Sequence, residues 1–294
     1  MTLFKGTATA LITPFRNEKI DYPAMGKLVE WQLKNGVDAF VVCGTTGEAS
    51  TLSGKERVQL THFVVDLVKG RVPVIAGTGS NNTRFTLDLS KEMEAIGADG
   101  LLVVTPYYNK CTETGMIAHY EKIADNVSIP IIMYSVKSRT GVNISPSAVK
   151  VLSEHPMITG IKEASGDISQ ICEMARYISD EFNIYSGNDD MAVPIMALGG
   201  LGCISTVSNI IPKCYSEMLH AWLRGDIKEA AAEQIRLKPL IDAIFAEINP
   251  IPLKAALNIM GMCELEYRLP LCPPTNKTRY LLYDQMRNYD LVSK

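Results

Sequence analysis

Lys162 closes a short apolar run, Ile158-Thr159-Gly160-Ile161-Lys162, and is followed by the glycine-containing turn Glu163-Ala164-Ser165-Gly166. A lysine at a strand end is either a solvated terminus or a nucleophile, because an amine attacks a carbonyl only when neutral and burial favours the neutral form. Three other stretches carry groups that could serve such a nucleophile. Gly44-Thr45-Thr46-Gly47-Glu48 sets two hydroxyls and several backbone N–H groups between glycines, a cradle for a small carboxylate or phosphate. Thr105-Pro106-Tyr107-Tyr108-Asn109 supplies paired phenols, and Tyr134 is followed closely by Ser138-Arg139-Thr140-Gly141. A lysine, several hydroxyls and an arginine, with no paired carboxylates, suit Schiff-base chemistry. The amine adds to a keto group, the protonated imine withdraws electrons, and the neighbouring carbon loses a proton to become an enamine nucleophile. Each stretch also reads alone as an ordinary turn or packing element, so the chemistry depends on a fold that brings all of them to one face.

Short β-rich runs separated by amphipathic helical segments supply that fold. The runs are 6–12, 38–43, 72–76, 100–104, 129–134, 158–162, 182–186 and 202–206. Helical patterns lie between them, as at 23–35 and 54–68, where Leu60, Phe63, Val64 and Leu67 share one face. Alternation of this kind implies parallel strands in an α/β protein, and eight units of βαβ length close as a (β/α)8 TIM barrel. In such a barrel the C-terminal strand ends build the site, and the four stretches above follow strands two, four, five and six. The barrel is expected over 1–224. Residues 225–294 form a C-terminal helical appendage, with helices at 226–245, 251–261 and 277–289 punctuated by Pro270, Pro273 and Pro274.

Composition excludes several classes. A net charge of -3 leaves no basic footprint for nucleic acid or an anionic membrane surface. No apolar run approaches the length of a membrane span, and the N-terminus lacks a signal-peptide pattern, so a cytoplasmic protein is expected. The seven cysteines include no Cys-x-x-Cys pair, and His62, His119, His155 and His220 have no ligand spacing, so no metal is expected. The turn Gly77-Thr78-Gly79-Ser80 lacks the third glycine and downstream acid of a dinucleotide fingerprint, so no cofactor is expected either.

Together the motifs resemble the dihydrodipicolinate synthase family of pyruvate-dependent class I aldolases, which includes N-acetylneuraminate lyase. The resemblance rests on 44–48, Val74 to Gly79, Thr105 to Tyr108, Tyr134 with 138–141, Gly160 to Glu163, Ser186-Gly187 and Asn249-Pro250-Ile251-Pro252, and covers nearly the full length. It implies that Lys162 forms an imine with pyruvate and that Thr45 and Thr46 hold the pyruvate carboxylate. A proton relay would run through Tyr134, Thr45 and Tyr108, with Tyr108 reaching into the partner's site across a dimer. Arg139 would bind the carboxylate of L-aspartate 4-semialdehyde, and Gly187, Ile204 and Asn249 would line the site. A homotetramer, built as a dimer of dimers, is the family expectation. The Thr45-Thr46 pair and the 138–141 segment match the synthases, the lyases generally carrying Ser in the first motif; a lyase or keto-sugar acid aldolase is the alternative, and a non-catalytic metabolite-binding barrel the remote one. Two departures stand out. Lys137 occupies a position usually held by proline, which implies a less stiff loop around Arg139. Asn81 and Tyr107 of the family's L-lysine effector pocket remain, but Gly54 and Arg57 replace histidines and Phe85 replaces a glutamate, which implies weak or absent inhibition by lysine.

Overall fold

The barrel strands alternate with helices, and many of the helices begin where side chains can cap them. In the computed structural model, which describes residues 2–292, Asp21, Ser53, Asn82, Thr112, Ser145 and Asp167 each accept a backbone N–H at a helix start. Ser53 and Glu56 complete a reciprocal capping box. Met1, Ser293 and Lys294, at the ends of the two segments expected from the sequence, lie outside the described residues.

The barrel strands are β1 (Gly6–Ala10), β2 (Ala39–Val42), β3 (Val74–Gly77), β4 (Gly100–Val104), β5 (Ile131–Ser135), β6 (Ile158–Glu163), β7 (Asn183–Ser186) and β8 (Gly202–Ser205). Each pairs in parallel with its sequence neighbour, and β1 pairs with both β2 and β8, closing the sheet. The intervening helices are α1 (Tyr22–Lys34), α2 (Gly54–Val68), α3 (Thr83–Ala95), α4 (Glu113–Ala124), α5 (Pro146–Leu152), α6 (Ile168–Met174), α7 (Ala192–Ala197) and α8 (Pro212–Arg224). Beyond them lie α9 (Ile227–Ile244), α10 (Ile251–Ile259) and α11 (Asn276–Arg287). This is the expected TIM barrel with C-terminal helices. A short hairpin, Phe15–Arg16 with Lys19–Ile20, was not legible in the sequence, since two-residue strands carry no periodicity.

Strand alternation sorts side chains between an inner and an outer core. On β5, Ile132 and Tyr134 join Ala8, Ala39, Val41, Tyr185 and Ile204 inside the barrel, while Ile131 and Met133 pack outward against helices. On β6 the alternation is interrupted. Ile158 pairs with Ile131 but Gly160 pairs with Ile132, so β6 carries one extra residue there. Ile158 and Ile161 therefore both reach the outer core, and Lys162 turns inward beside Tyr134, its register partner. The outer core facing α1 and α2 is continuous with α9, α10 and α11 through Leu237, Leu240, Ile241, Leu253, Leu257 and Leu282. Burial of each such side chain contributes roughly 1.5–3 kcal/mol.

Candidate active site

Lys162 is 5% exposed, and its Nζ lies 4.4 Å from the centre of the Tyr134 ring. Its stem runs past Gly187, where an added Cβ would come within 3.2 Å of Lys162 Cε and 2.7 Å of Ala164 Cβ. Only a residue without a side chain leaves the amine its path. Ile204 is buried in the same inner cluster as Tyr134. Glu163, the next residue, faces away as strand alternation requires. Its carboxylate accepts from Ser165 N and Gln170 Nε2, and burial raises its pKa above the ordinary range.

A cavity of about 350 Å³ opens beside Tyr134, lined by Gly44, Thr45, Gly79, Tyr107, Tyr134 and Arg139, among others; Lys162 adjoins it through the Tyr134 ring without itself lining it. The cavity joins the strand ends of β2, β3, β4 and β5. Gly77 permits the close approach, since a Cβ there would sit 2.2 Å from Cys43 O. Cys43 and Glu48, flanking the cradle, both adopt left-handed backbone conformations, φ 56° and 54°, of the kind that concentrates at functional turns. Thr45 is half-buried and lines the cavity, whereas Thr46 is buried and does not. The Asn249 amide donates to Thr46 Oγ1 at 2.9 Å, and Thr206 Oγ1 lies 3.4 Å from the same atom. With one lone pair engaged by Asn249, the Thr46 hydroxyl keeps its proton for an acceptor, either Thr206 Oγ1 or a bound ligand.

Arg139 sits on a one-turn helix, Lys137–Thr140, that is braced despite the lysine at 137. Thr140 Oγ1 lies within donating distance of Val136 O and Val142 O and accepts from Val142 N. Ser135 Oγ donates to Asn143, Asn143 Nδ2 donates to Gln170 Oε1, and Gln170 reaches Glu163. The loop after β5 is thus tied to the end of β6.

Of the residues singled out from the sequence, Thr45, Tyr134 and Arg139 line the cavity, Lys162 and Gly187 meet beside Tyr134, Ile204 shares the inner core with Tyr134, Thr46 and Asn249 are bonded to each other, and Tyr108 stands apart. It is 89% exposed, at φ 70°, and it is Tyr107 that lines the cavity. The sequence reading passed over three further groups. Thr206 contacts Thr46. The Asp189 carboxylate accepts from Thr206 N and Val207 N, and burial pushes it up to about 6. Lys254 forms a fully buried ion pair with Glu48 at 2.6 Å. A lysine inside the apolar text Leu253, Ala255, Ala256, Leu257 was the available signal for the last, because a buried cation demands a partner. Among the described residues, no cluster of three or more His, Cys, Asp or Glu side chains could hold a metal ion, and no helix is long and apolar enough to cross a membrane.

Comparison with known proteins agrees along the whole chain. Residues 3–288 match the model of the dihydrodipicolinate synthetase family. A 4-hydroxy-tetrahydrodipicolinate synthase from Thermoanaerobacter sp. (strain X514) is 49% identical over 100% of this chain and 99% of its own. The dihydrodipicolinate synthase of Thermotoga maritima superposes with a TM-score of 0.97 at 42% identity, covering 99% of this chain and 100% of that one. The chloride-inhibited dihydrodipicolinate synthase of Acinetobacter baumannii, solved in complex with pyruvate, superposes at 0.96 with 38% identity, covering 99% and 100%. On a full-length match of sequence and of barrel, the chain belongs to the dihydrodipicolinate synthetase family.

Proposed function

We propose that this chain is a lyase that condenses pyruvate with L-aspartate 4-semialdehyde to 4-hydroxy-tetrahydrodipicolinate, on the route to diaminopimelate and lysine. The observation that carries the reading is a lysine almost wholly buried at the C-terminal end of a barrel strand, beside a tyrosine that lines the adjoining cavity. The Lys162 amine adds to the keto carbon of pyruvate and water leaves, giving a protonated imine. Loss of a methyl proton gives the enamine, whose carbon attacks the aldehyde. The amino group of the second substrate then adds to the imine carbon, closing the ring and releasing Lys162. Thr45 and Thr46 hold the pyruvate carboxylate, and Arg139 offers its planar fork to the carboxylate of the semialdehyde. Protons move through Tyr134, Thr45 and Tyr108. Because Tyr108 is solvent-exposed in a single chain, this relay takes the residue from a second copy, consistent with a homotetramer made as a dimer of dimers.

Initial rates with both substrates, and borohydride reduction in the presence of pyruvate, test the mechanism. The native chain is expected to yield a stable adduct on the Lys162 peptide; Lys162→Ala loses both adduct and turnover. Arg139→Ala keeps the adduct but raises KM for the semialdehyde. Full activity in Lys162→Ala refutes the Schiff base, and turnover of N-acetylneuraminate without the semialdehyde reassigns the substrate.

Regulation should also differ from lysine-inhibited relatives. The Arg57 guanidinium lies 6.0 Å from the Phe85 ring centre and donates to Ala49 O, so a cation and an aromatic ring occupy the ground an ammonium ligand would need. Initial rates in millimolar L-lysine are expected to stay near those without it; strong inhibition there overturns this reading.

A further inference from the structure

The ion pair between Lys254 and Glu48 takes no part in the chemistry described, yet it is the most deeply buried charge pair among the described residues. Both side chains are 0% exposed, with Nζ 2.6 Å from Oε1. Burial raises the Glu48 pKa and lowers that of Lys254, each attraction opposing the desolvation of its partner. Removing two charges from water is costly enough that an apolar pair of similar shape often serves stability as well or better. The pair therefore calls for an explanation other than stability, and its location supplies one.

Glu48 is the residue immediately after the Gly44 to Gly47 cradle and is held at φ 54°. Lys254 is in the first half of α10, which begins just after Asn249, whose amide donates to Thr46 Oγ1 at 2.9 Å. Two bonds thus fasten one loop to one segment of the C-terminal helices. A third comes from the other side, where Thr13 Oγ1 donates to Gly47 O at 2.7 Å. The ammonium itself is fixed between two rings, 4.3 Å from the centre of Phe15 and 5.0 Å from that of Tyr267. Lys254 gives the Glu48 carboxylate its strongest attraction and its one side-chain hydrogen bond, with a weaker contribution from the backbone and charge of Arg268.

We propose that Lys254, acting through Glu48, is a positioning residue that holds Thr45 and Thr46 in register to receive the substrate carboxylate. The inference rests on reading that cradle as the pyruvate carboxylate site. It makes the C-terminal helices part of the substrate-binding apparatus, although they contribute no atom to the bond-forming steps.

The test compares the native chain with the shape-preserving double variant Glu48→Gln/Lys254→Met, and with Thr46→Val as a control on the cradle. Melting temperature, KM for each substrate, kcat and borohydride trapping are read together. In the double variant, Lys162 should still be trapped as the pyruvate adduct and melting should change little. KM for pyruvate should rise about tenfold, with a smaller change in KM for the semialdehyde. A merely structural pair would lower the melting point and leave the KM values alone. Should the double variant fail to fold, Glu48→Gln alone, which keeps length and an acceptor facing Lys254, is read in the same way. A native pyruvate KM in the folded variant, with a raised one in Thr46→Val, overturns the positioning role and leaves the cradle standing. An unchanged pyruvate KM in Thr46→Val overturns both.

Discussion

Lys162 can work only if its amine has room to swing towards a bound keto group, and Gly187 sets that room. A methyl at Gly187 would meet Ala164 Cβ at 2.7 Å and Glu163 O at 3.1 Å, with Lys162 Cε at 3.2 Å. Glu163 ends the strand that carries Lys162 and Ala164 follows it directly, so relieving the closest clash shifts the backbone at that strand end and carries the lysine with it. Displacement of a nucleophile by about 1 Å can cost on the order of 10²-fold in rate. Gly187→Ala is therefore expected to fold, to keep its pyruvate carboxylate contacts, and to lose roughly 10- to 100-fold in kcat with slower accumulation of the borohydride-trapped adduct. Native trapping kinetics would show that the stem does not feel the added methyl. Gly187 entered the sequence reading only through a family resemblance, because a glycine after a strand has many uses; its contact with Lys162 needed the folded backbone.

The loop after β5 offers a test at the scale of an element. Replacement of a customary proline by Lys137 suggested a slack carrier for Arg139, but the chain from Ser135 through Asn143 and Gln170 to Glu163 binds the loop to β6 by side-chain hydrogen bonds. Asn143 accepts from Ser135 and Gln170 while donating to Gln170, so Asn143→Ala removes the middle of the chain and leaves the Ser135 hydroxyl proton and Gln170 Oε1 without these partners. The expected result is a several-fold higher KM for the semialdehyde, little change in KM for pyruvate, and a stability loss of about 1–3 kcal/mol in a denaturant titration. Equal changes in both KM values would show that the brace serves the whole site. This element also marks how far the sequence could be read. All eight barrel strands were legible because hydrophobic runs and helical periodicity alternate without interruption, and the three C-terminal helices because proline punctuates them. The direction of Lys162 was not legible. Strict alternation from the outward Ile158 would turn Lys162 outward too, and only the extra residue between Ile158 and Gly160 reverses it. Nor was the Glu48–Lys254 pair legible, since its partners stand some two hundred positions apart and meet only when the C-terminal helices pack behind the cradle.

At the scale of the whole molecule, buried titratable groups outside the site set the response to acid. His119 on α4 is 4% exposed, its Nδ1 is bonded to Thr83 Oγ1, its Nε2 lacks a partner, and burial pushes its pKa from 6.5 down to about 4. Between those two values the unfolded chain binds a proton that the folded chain refuses, so this group's contribution to stability falls as pH falls from 6.5 towards 4. Asp189 acts in the opposite sense. Its folded value of about 6 lies above the ordinary 3.8, so the folded chain binds the extra proton and this contribution rises as pH falls through the same range. The acid limb of the native chain is then shallow where the two overlap, and neither group can be read from it alone. Comparison with His119→Gln isolates the histidine, because the remaining titrations are common to both chains. At pH 7 the variant should be the less stable of the two, through lost packing against Tyr120. As pH is lowered to 4 the variant should gain on the native chain by about 3 kcal/mol, the equivalent of the histidine's full displacement. Denaturant midpoints measured at half-unit steps would follow the crossing, and a stability difference that stays constant from pH 7 to 4 would mean that His119 takes up its proton without leaving the fold.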